Sequence, residues 1–71
     1  MKESTKKIVM EILKSELNAV GKSLYFINKA IKTAEAEENV SVIKTQNRLK
    51  RHALQRVEEL QNAIKDLNGQ D

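Results

Sequence analysis

Residues 10–34 read MEILKSELNAVGKSLYFINKAIKTA, and this stretch decides the fold. Its apolar residues recur at alternating steps of three and four for more than three heptads. That pattern is the a/d seam of a coiled coil, in which one face of an α-helix packs against a neighbouring helix. The seam consists of Met10, Leu13, Leu17, Val20, Leu24, Ile27, Ile31 and Ala34.

A second helical pattern follows, between about residues 42 and 67. Its apolar stripe leaves out Ile43 and Leu54 and consists of Val42, Gln46, Leu49, Ala53, Val57, Leu60, Ile64 and Leu67. Side-chain capping is expected from Ser4 at the start of the first helix and from Asn39 or Ser41 at the start of the second. Asn68 and Gly69 are expected to stop the second helix, because Gly69 is able to take the left-handed conformation.

The break between the two helices follows from the register, because no Gly or Pro separates them. Continuing the first heptad register beyond Ala34 places a polar residue at every a and d position. Residues 39–42, NVSV, are also weak helix formers. The sequence therefore predicts an all-α fold, an antiparallel two-helix hairpin that forms one domain over residues 1–71. Its parts are helix 1 at about 5–37, a turn at about 38–41, helix 2 at about 42–67 and a frayed tail at 68–71.

The composition limits how so short a chain completes its core. A chain of 71 residues buries only about 60% of the surface that its unfolded form exposes. Small folds compensate with disulfides, metals or partner subunits. The chain has no cysteine to form a disulfide and a single histidine to bind a metal, so a partner subunit remains as the means of completing the core. The sequence has no transmembrane segment and no signal-peptide pattern, so a cytoplasmic location is expected.

A second apolar stripe on helix 1 indicates where that subunit binds. Ile8, Ile12, Ala19, Phe26 and Ala30 lie on one flank of the a/d seam. One partner helix covers only one seam, so this stripe needs a further neighbour. We expect two hairpins to form a homodimeric four-helix bundle, with self-association through Ile12, Ala19, Phe26 and Ala30. A bundle completed by a different protein is the alternative.

Two residues of helix 1 have more than one interpretation. Gly21 lies inside the helix, either as a tolerated residue or because another backbone approaches it closely. Tyr25 lies on the flank opposite Phe26. It is interpreted as covering the groove between the two helices, with contact to a partner as the alternative.

A basic stripe on helix 2 is the sharpest functional feature. Lys44, Arg48, Arg51 and Gln55 follow steps of four, three and four on the face opposite the apolar stripe. Such a stripe suits an acidic protein surface, and it also suits the phosphates of a nucleic acid. The usual role of exposed charge, solvation of a helix face, is the third interpretation.

No residue pattern of catalysis accompanies these surfaces. His52 stands alone in a basic run, no serine has a triad partner, and no phosphate-binding or metal-binding motif occurs. The sequence predicts no catalytic residue, no cofactor, no metal, no small-molecule substrate and no membrane contact. We expect a small non-enzymatic regulator or adaptor that acts through helix surfaces on a macromolecular partner, most simply a protein. The alternative is a nucleic-acid-binding regulator that uses the basic stripe on a homodimer.

Overall fold

Two long helices that pack side by side make up the fold. The computed structural model describes residues 2–69, in which α1 spans Glu3–Ala36 and α2 spans Val40–Asn68. The two helices are antiparallel and form a rod 53 Å long, with no strand among the described residues. The predicted all-α helical hairpin is confirmed. Of the predicted tail, Asn68 is the last residue of α2, and residues 70–71 lie outside the described residues.

The start of α1 differs from the expected cap. Lys2 is the N-cap residue, with an extended backbone and no side-chain hydrogen bond to the helix. Ser4 lies inside the first turn, so the prediction that it caps the helix is wrong. A capping side chain needs the non-helical backbone of the N-cap position, which Ser4 does not have. Glu3 instead places a negative charge in the first turn, where it interacts favourably with the helix dipole.

The turn between the helices is a Schellman motif built without glycine. The Asn39 N–H donates to the Ala34 carbonyl at 2.8 Å, and the Glu38 N–H donates to the Glu35 carbonyl at 3.2 Å. Glu38 has φ 55°, a left-handed conformation that glycine normally supplies. Asn39 then caps α2, because its Oδ1 accepts a hydrogen bond from the Val42 N–H at 3.2 Å. Ser41, the other expected cap, lies within α2.

Gly69 is the C-cap residue of α2, which ends at Asn68 as the predicted stop requires. Its φ is −80°, in the right-handed region, so it does not use the left-handed conformation that glycine allows. The Gly69 N–H donates to the Lys65 and Asp66 carbonyls and thereby extends the helical hydrogen bonding by one residue. Among residues 2–69, the left-handed backbone lies instead in the turn, at Glu38.

The core lies along the seam between the helices. All eight predicted seam residues of α1 are half-buried or buried. In α2 the packed stripe is more regular than predicted, with steps of three and four throughout, and Ala63 is half-buried beside it. Leu60 is the most buried large side chain, at 2% exposure. The stripe consists of Ile43, Gln46, Lys50, Ala53, Val57, Leu60, Ile64 and Leu67.

The seam predicted for α2 is therefore wrong in its turn-proximal half. Val42 and Leu49 are exposed, whereas Ile43 and Lys50 face α1. A helix that packs along the whole length of an antiparallel partner keeps one regular register, in which a seam residue recurs every 3.5 residues on average. That regularity brings Gln46 and Lys50 onto the seam, where the aliphatic stem of Lys50 covers apolar surface.

Candidate interaction surfaces

An ion pair across the hairpin identifies one of its two broad faces. The Arg56 guanidinium donates to Glu16 Oε1 through Nε at 3.0 Å and through a second nitrogen, and it reaches Glu59 Oε2 at 3.2 Å. Glu16 and Arg56 each directly precede an a residue of the seam, so both occupy g positions. In an antiparallel pair, g positions of the two helices face each other. We call the side of the hairpin that carries this ion pair the bridge face.

The electrostatics of the ion pair are those of the protein surface. The hydrogen bond from Arg56 to Glu16, followed by the one to Glu59, raises the pKa of Arg56 above its ordinary value. All three side chains remain exposed or half-exposed. Surface ion pairs of this kind add little stability. The ion pair therefore marks the register of the two helices more than it holds them together.

The bridge face carries a large unpartnered apolar surface. Ile12 is 60% exposed and Phe26 65% exposed, and Ala19, one heptad from each, is exposed between them. Val42 and Leu49 of α2 lie at g positions and join the same face. Three of the four residues predicted for self-association, Ile12, Ala19 and Phe26, are therefore exposed on the bridge face. The fourth, Ala30, lies at a g position on the same side of the hairpin and is half-buried beside α2.

Sequence reasoning missed the contribution of α2 to this face. Hydrophobicity alone allows Val42 and Leu49 in the seam, because both are apolar residues at near-helical spacing from the rest of the stripe. The signal that identifies them is the irregular pair of consecutive four-residue steps in the predicted stripe, Leu49–Ala53–Val57. A regular heptad moves both residues one position out of the seam.

The opposite side of the hairpin, which we call the groove face, holds an open groove of about 650 Å³. Its apolar floor is formed by Leu17, Leu24 and Val57, and Tyr25 lines one wall. Gly21 lies between the two leucines, and a Cβ atom built on it meets nothing within 4 Å. The groove therefore passes over Gly21, at a position where any other residue would fill part of it with a side chain. The close approach of another backbone to Gly21 is not found within the described chain.

Polar and cationic groups complete the groove lining. Lys14 and Lys22 lie on its α1 side, and Asn18 and Gln61 add amide groups. Among the described residues, the lining contains no Asp or Glu. The groove therefore combines an apolar floor with a positively charged rim.

The two aromatic rings of the chain lie next to each other on the outer surface of α1, where Tyr25 borders the groove and Phe26 belongs to the bridge face. The Phe26 ring meets the Tyr25 ring edge-on, with 5.3 Å between their centres. The Lys29 ammonium lies 5.5 Å from the centre of the Tyr25 ring. Tyr25 is 59% exposed, so it borders the groove between the helices without closing it.

The basic stripe lies on the outer surface of α2. Lys44, Arg48, Arg51 and Gln55 are all exposed and occupy b and f positions, which point away from α1. None of the three cations forms a salt bridge within residues 2–69, so the described chain does not neutralise them. The structure brings the predicted residues together on one surface, which borders the groove face.

The described chain offers neither a metal site nor a membrane span. Residues 2–69 contain no group of three or more His, Cys, Asp or Glu residues arranged to hold a metal ion. His52, the single histidine, is exposed on α2. Neither α1 nor α2, as described, has the length and apolar character that crossing a membrane requires.

Comparison of the chain with protein-family models, with curated proteins and with solved structures gave no match in any of the three.

Proposed function

We propose that this chain is a non-enzymatic interaction protein. Two hairpins associate through their bridge faces into a four-helix bundle, and the bundle presents its outer helix surfaces to a macromolecular partner. The observation that carries the proposal is the exposure of Ile12, Phe26 and Leu49 together on one face. Aligned large apolar side chains on a small rod favour burial against another chain over contact with water.

The spacing of the apolar residues in α1 suits a two-fold symmetric interface. Ile12 and Phe26 lie seven residues on either side of Ala19. In an antiparallel dimer with its two-fold axis beside Ala19, Ile12 of each chain lies level with the partner's Phe26. The two small Ala19 side chains then meet at the axis and allow the helices to approach. An interface of this kind uses the same patch on both copies, as two-fold symmetry requires.

The size of the bridge face supports the same arrangement. The hairpin is 53 Å long, and two helices side by side are about 20 Å wide, so one broad face offers roughly 1,000 Å². A stable protein–protein interface needs about 800 Å² from each partner. One face is therefore large enough to hold a dimer and leaves the groove face and the basic stripe accessible. The lack of cysteine is in keeping with a cytoplasmic location for this assembly.

Sedimentation equilibrium over a range of micromolar concentrations tests this proposal. The expected particle has twice the chain mass of 8.1 kDa. Phe26→Lys is expected to raise the dissociation constant strongly, because it places a charge in the apolar interface. Arg48→Ala, on the outer surface of α2, is the control and is expected to leave association unchanged. A folded wild-type monomer at all concentrations would rule out the homodimer and leave the bridge face for a different protein.

Nucleic-acid binding is a second candidate function, favoured by the un-neutralised basic stripe. Three exposed cations on each chain give six on a dimer. Binding to phosphates would then weaken steeply with salt, with a log–log slope of up to about −5. Arg48→Ala combined with Arg51→Ala should reduce that slope. Lys7→Ala combined with Lys65→Ala, which removes the same charge at the other end of the hairpin, should reduce it less. Absence of binding to mixed DNA and RNA at low salt excludes this function.

A further inference from the structure

We infer that the groove beside Gly21 receives an acidic amphipathic helix from a protein partner. This inference rests on the proposed function and deepens it, since it names the kind of partner that the hairpin binds. It concerns the groove face, which lies opposite the bridge face. Partner binding and self-association therefore use separate surfaces and can be tested separately.

The absence of a side chain at Gly21 leaves an opening in the surface of the hairpin that a group from another molecule can enter. Glycine in the interior of a helix destabilises the helix relative to alanine. Nothing in the described chain compensates this cost, because a Cβ atom at this position would have no neighbour within 4 Å. Gly21 occupies an e position, where a side chain would normally cover the seam. The missing side chain leaves Leu17, Leu24 and Val57 open to a group from outside.

The charged residues that line the groove are all positive. Lys14 and Lys22 belong to the lining, which has no acidic member among the described residues. The α1 segment from residue 17 to residue 34 contains no acid at all. Glu58 of α2 is not among the lining residues. A positive rim around an apolar floor attracts and orients a partner with an apolar stripe flanked by carboxylates.

The shape and length of the groove match one helix. From Lys14 to Tyr25 it runs along three turns of α1, about 16 Å at the α-helical rise of 1.5 Å per residue. This length holds the i, i+4 and i+7 anchors of one amphipathic helix. The groove is open along its length, whereas small-molecule sites enclose most of their ligand. A helix is therefore the occupant that matches its shape.

The turn-proximal segments of a second copy of this chain do not match the groove. Residues 17–34 and 39–57, which make up more than half of its two helices, contain no acid. Docking either segment beside Lys14 and Lys22 would bring like charges together. A nucleic acid would use the lysines and leave the apolar floor without a partner. The groove face thus favours an acidic protein helix over both.

The test uses two synthetic helical peptides of equal length. Both carry leucines at i, i+4 and i+7, flanked in one by glutamates and in the other by lysines. In fluorescence anisotropy the acidic peptide is expected to bind and the basic peptide is not. In amide NMR spectra the Gly21 resonance is expected to shift on titration with the acidic peptide, while that of Gly69, at the end of α2, stays in place. Equal binding of both peptides, or binding that leaves the Gly21 resonance unmoved, overturns the inference.

A matched pair of variants locates the binding. Gly21→Leu extends a side chain into the groove from a position where a Cβ atom meets nothing within 4 Å. It is expected to weaken peptide binding by about tenfold or more, equivalent to the 1.4 kcal/mol of a decade in affinity. Ser15→Leu adds a similar side chain at an exposed outer position of α1 and is expected to leave the affinity unchanged. Undiminished binding by Gly21→Leu contradicts the inference. So does preferential binding of mixed RNA that competes with the peptide.

Failure of this inference can be distinguished from failure of the proposed dimer. Sedimentation of the same Gly21→Leu sample is expected to show unchanged self-association, because Gly21 is not on the bridge face. Conversely, Leu49→Lys, on the bridge face of α2 and away from the groove lining, is expected to bind the acidic peptide as a monomer. Loss of peptide binding in Leu49→Lys, with its helical content intact, would show that the groove alone does not form the site and would overturn the inference.

Discussion

Glu16 and Arg56, forty residues apart in the sequence, share a two-nitrogen hydrogen-bonded contact on one carboxylate oxygen. This contact shows on which side of the hairpin the g positions of the two helices face each other. It places Phe26 and Leu49 on the same face and Gly21 on the other. Residues are assigned to the bridge face or to the groove face on the basis of this contact.

The first prediction concerns the pH dependence of the ion pair. Hydrogen bonding to Glu16 raises the pKa of Arg56 in the folded protein, so its contribution to stability is complete below the unfolded-state pKa. That contribution is lost only as the pH rises through the folded-state pKa, far in the alkaline range. Between about pH 7 and 10 the titration of Arg56 should leave stability unchanged. Wild type and Arg56→Met should show parallel melting temperatures across this range, and a difference that varies with pH would contradict the assignment.

The second prediction concerns the strained turn. Glu38 adopts a left-handed backbone at φ 55°, which costs a non-glycine residue about 1 kcal/mol. Glu38→Gly removes this strain and should stabilise the hairpin by about 0.5–1 kcal/mol, after the greater flexibility of glycine in the unfolded chain is offset. Urea unfolding at a fixed protein concentration measures the change. Glu37→Gly, in the right-handed region, is the control and should destabilise the protein.

The third prediction concerns the seam. Leu60 is 2% exposed, so Leu60→Ala should reduce the free energy of unfolding by about 2–5 kcal/mol. Leu54 lies on the same helix at 49% exposure, and Leu54→Ala should cost much less. Circular dichroism melts of the two variants give the comparison. Equal losses would show that the packing of α2 differs from the one described.

The fourth prediction uses two leucines of α2 that differ in face and little else. Leu49 is 45% exposed on the bridge face, and Leu54 is 49% exposed on the groove face. Leu49→Lys should dissociate the dimer at micromolar concentration, because it places a charge in the proposed interface. Leu54→Lys should leave the dimer intact. Sedimentation measures both, and the reverse order of effects would assign self-association to the groove face.

The sequence predicts α1 well and α2 less well, for a physical reason. In α1 every seam position is apolar, so the most hydrophobic stripe and the packed stripe coincide. In α2 the seam includes Gln46 and Lys50, while the more apolar Val42 and Leu49 lie beside it. Burial there is decided by the continuous register of the two packed helices, which hydrophobicity at single positions does not reveal.

The turn and the candidate surfaces likewise combine features that the sequence predicts with features that it does not. Asn39 is a strong capping residue and its role is predictable, whereas the left-handed Glu38 has no signature because glycine is absent from the turn. The basic stripe is visible in the sequence because its residues have helical spacing. The groove beside Gly21 depends on residues of both helices, so it becomes visible only once the register between them is known.

The polar residues in the seam have a consequence for the motions of the hairpin. Leu60, Ile64 and Leu67 hold α2 to α1 near the open end, whereas Gln46 and Lys50 weaken the contact nearer the turn. The half beside the turn should therefore open more often and exchange its amide hydrogens faster. The cations of the basic stripe lie in this half. A partner that binds these cations would reduce the opening fluctuations of this half. Binding would then be measured as slower amide hydrogen exchange along the whole turn-proximal segment.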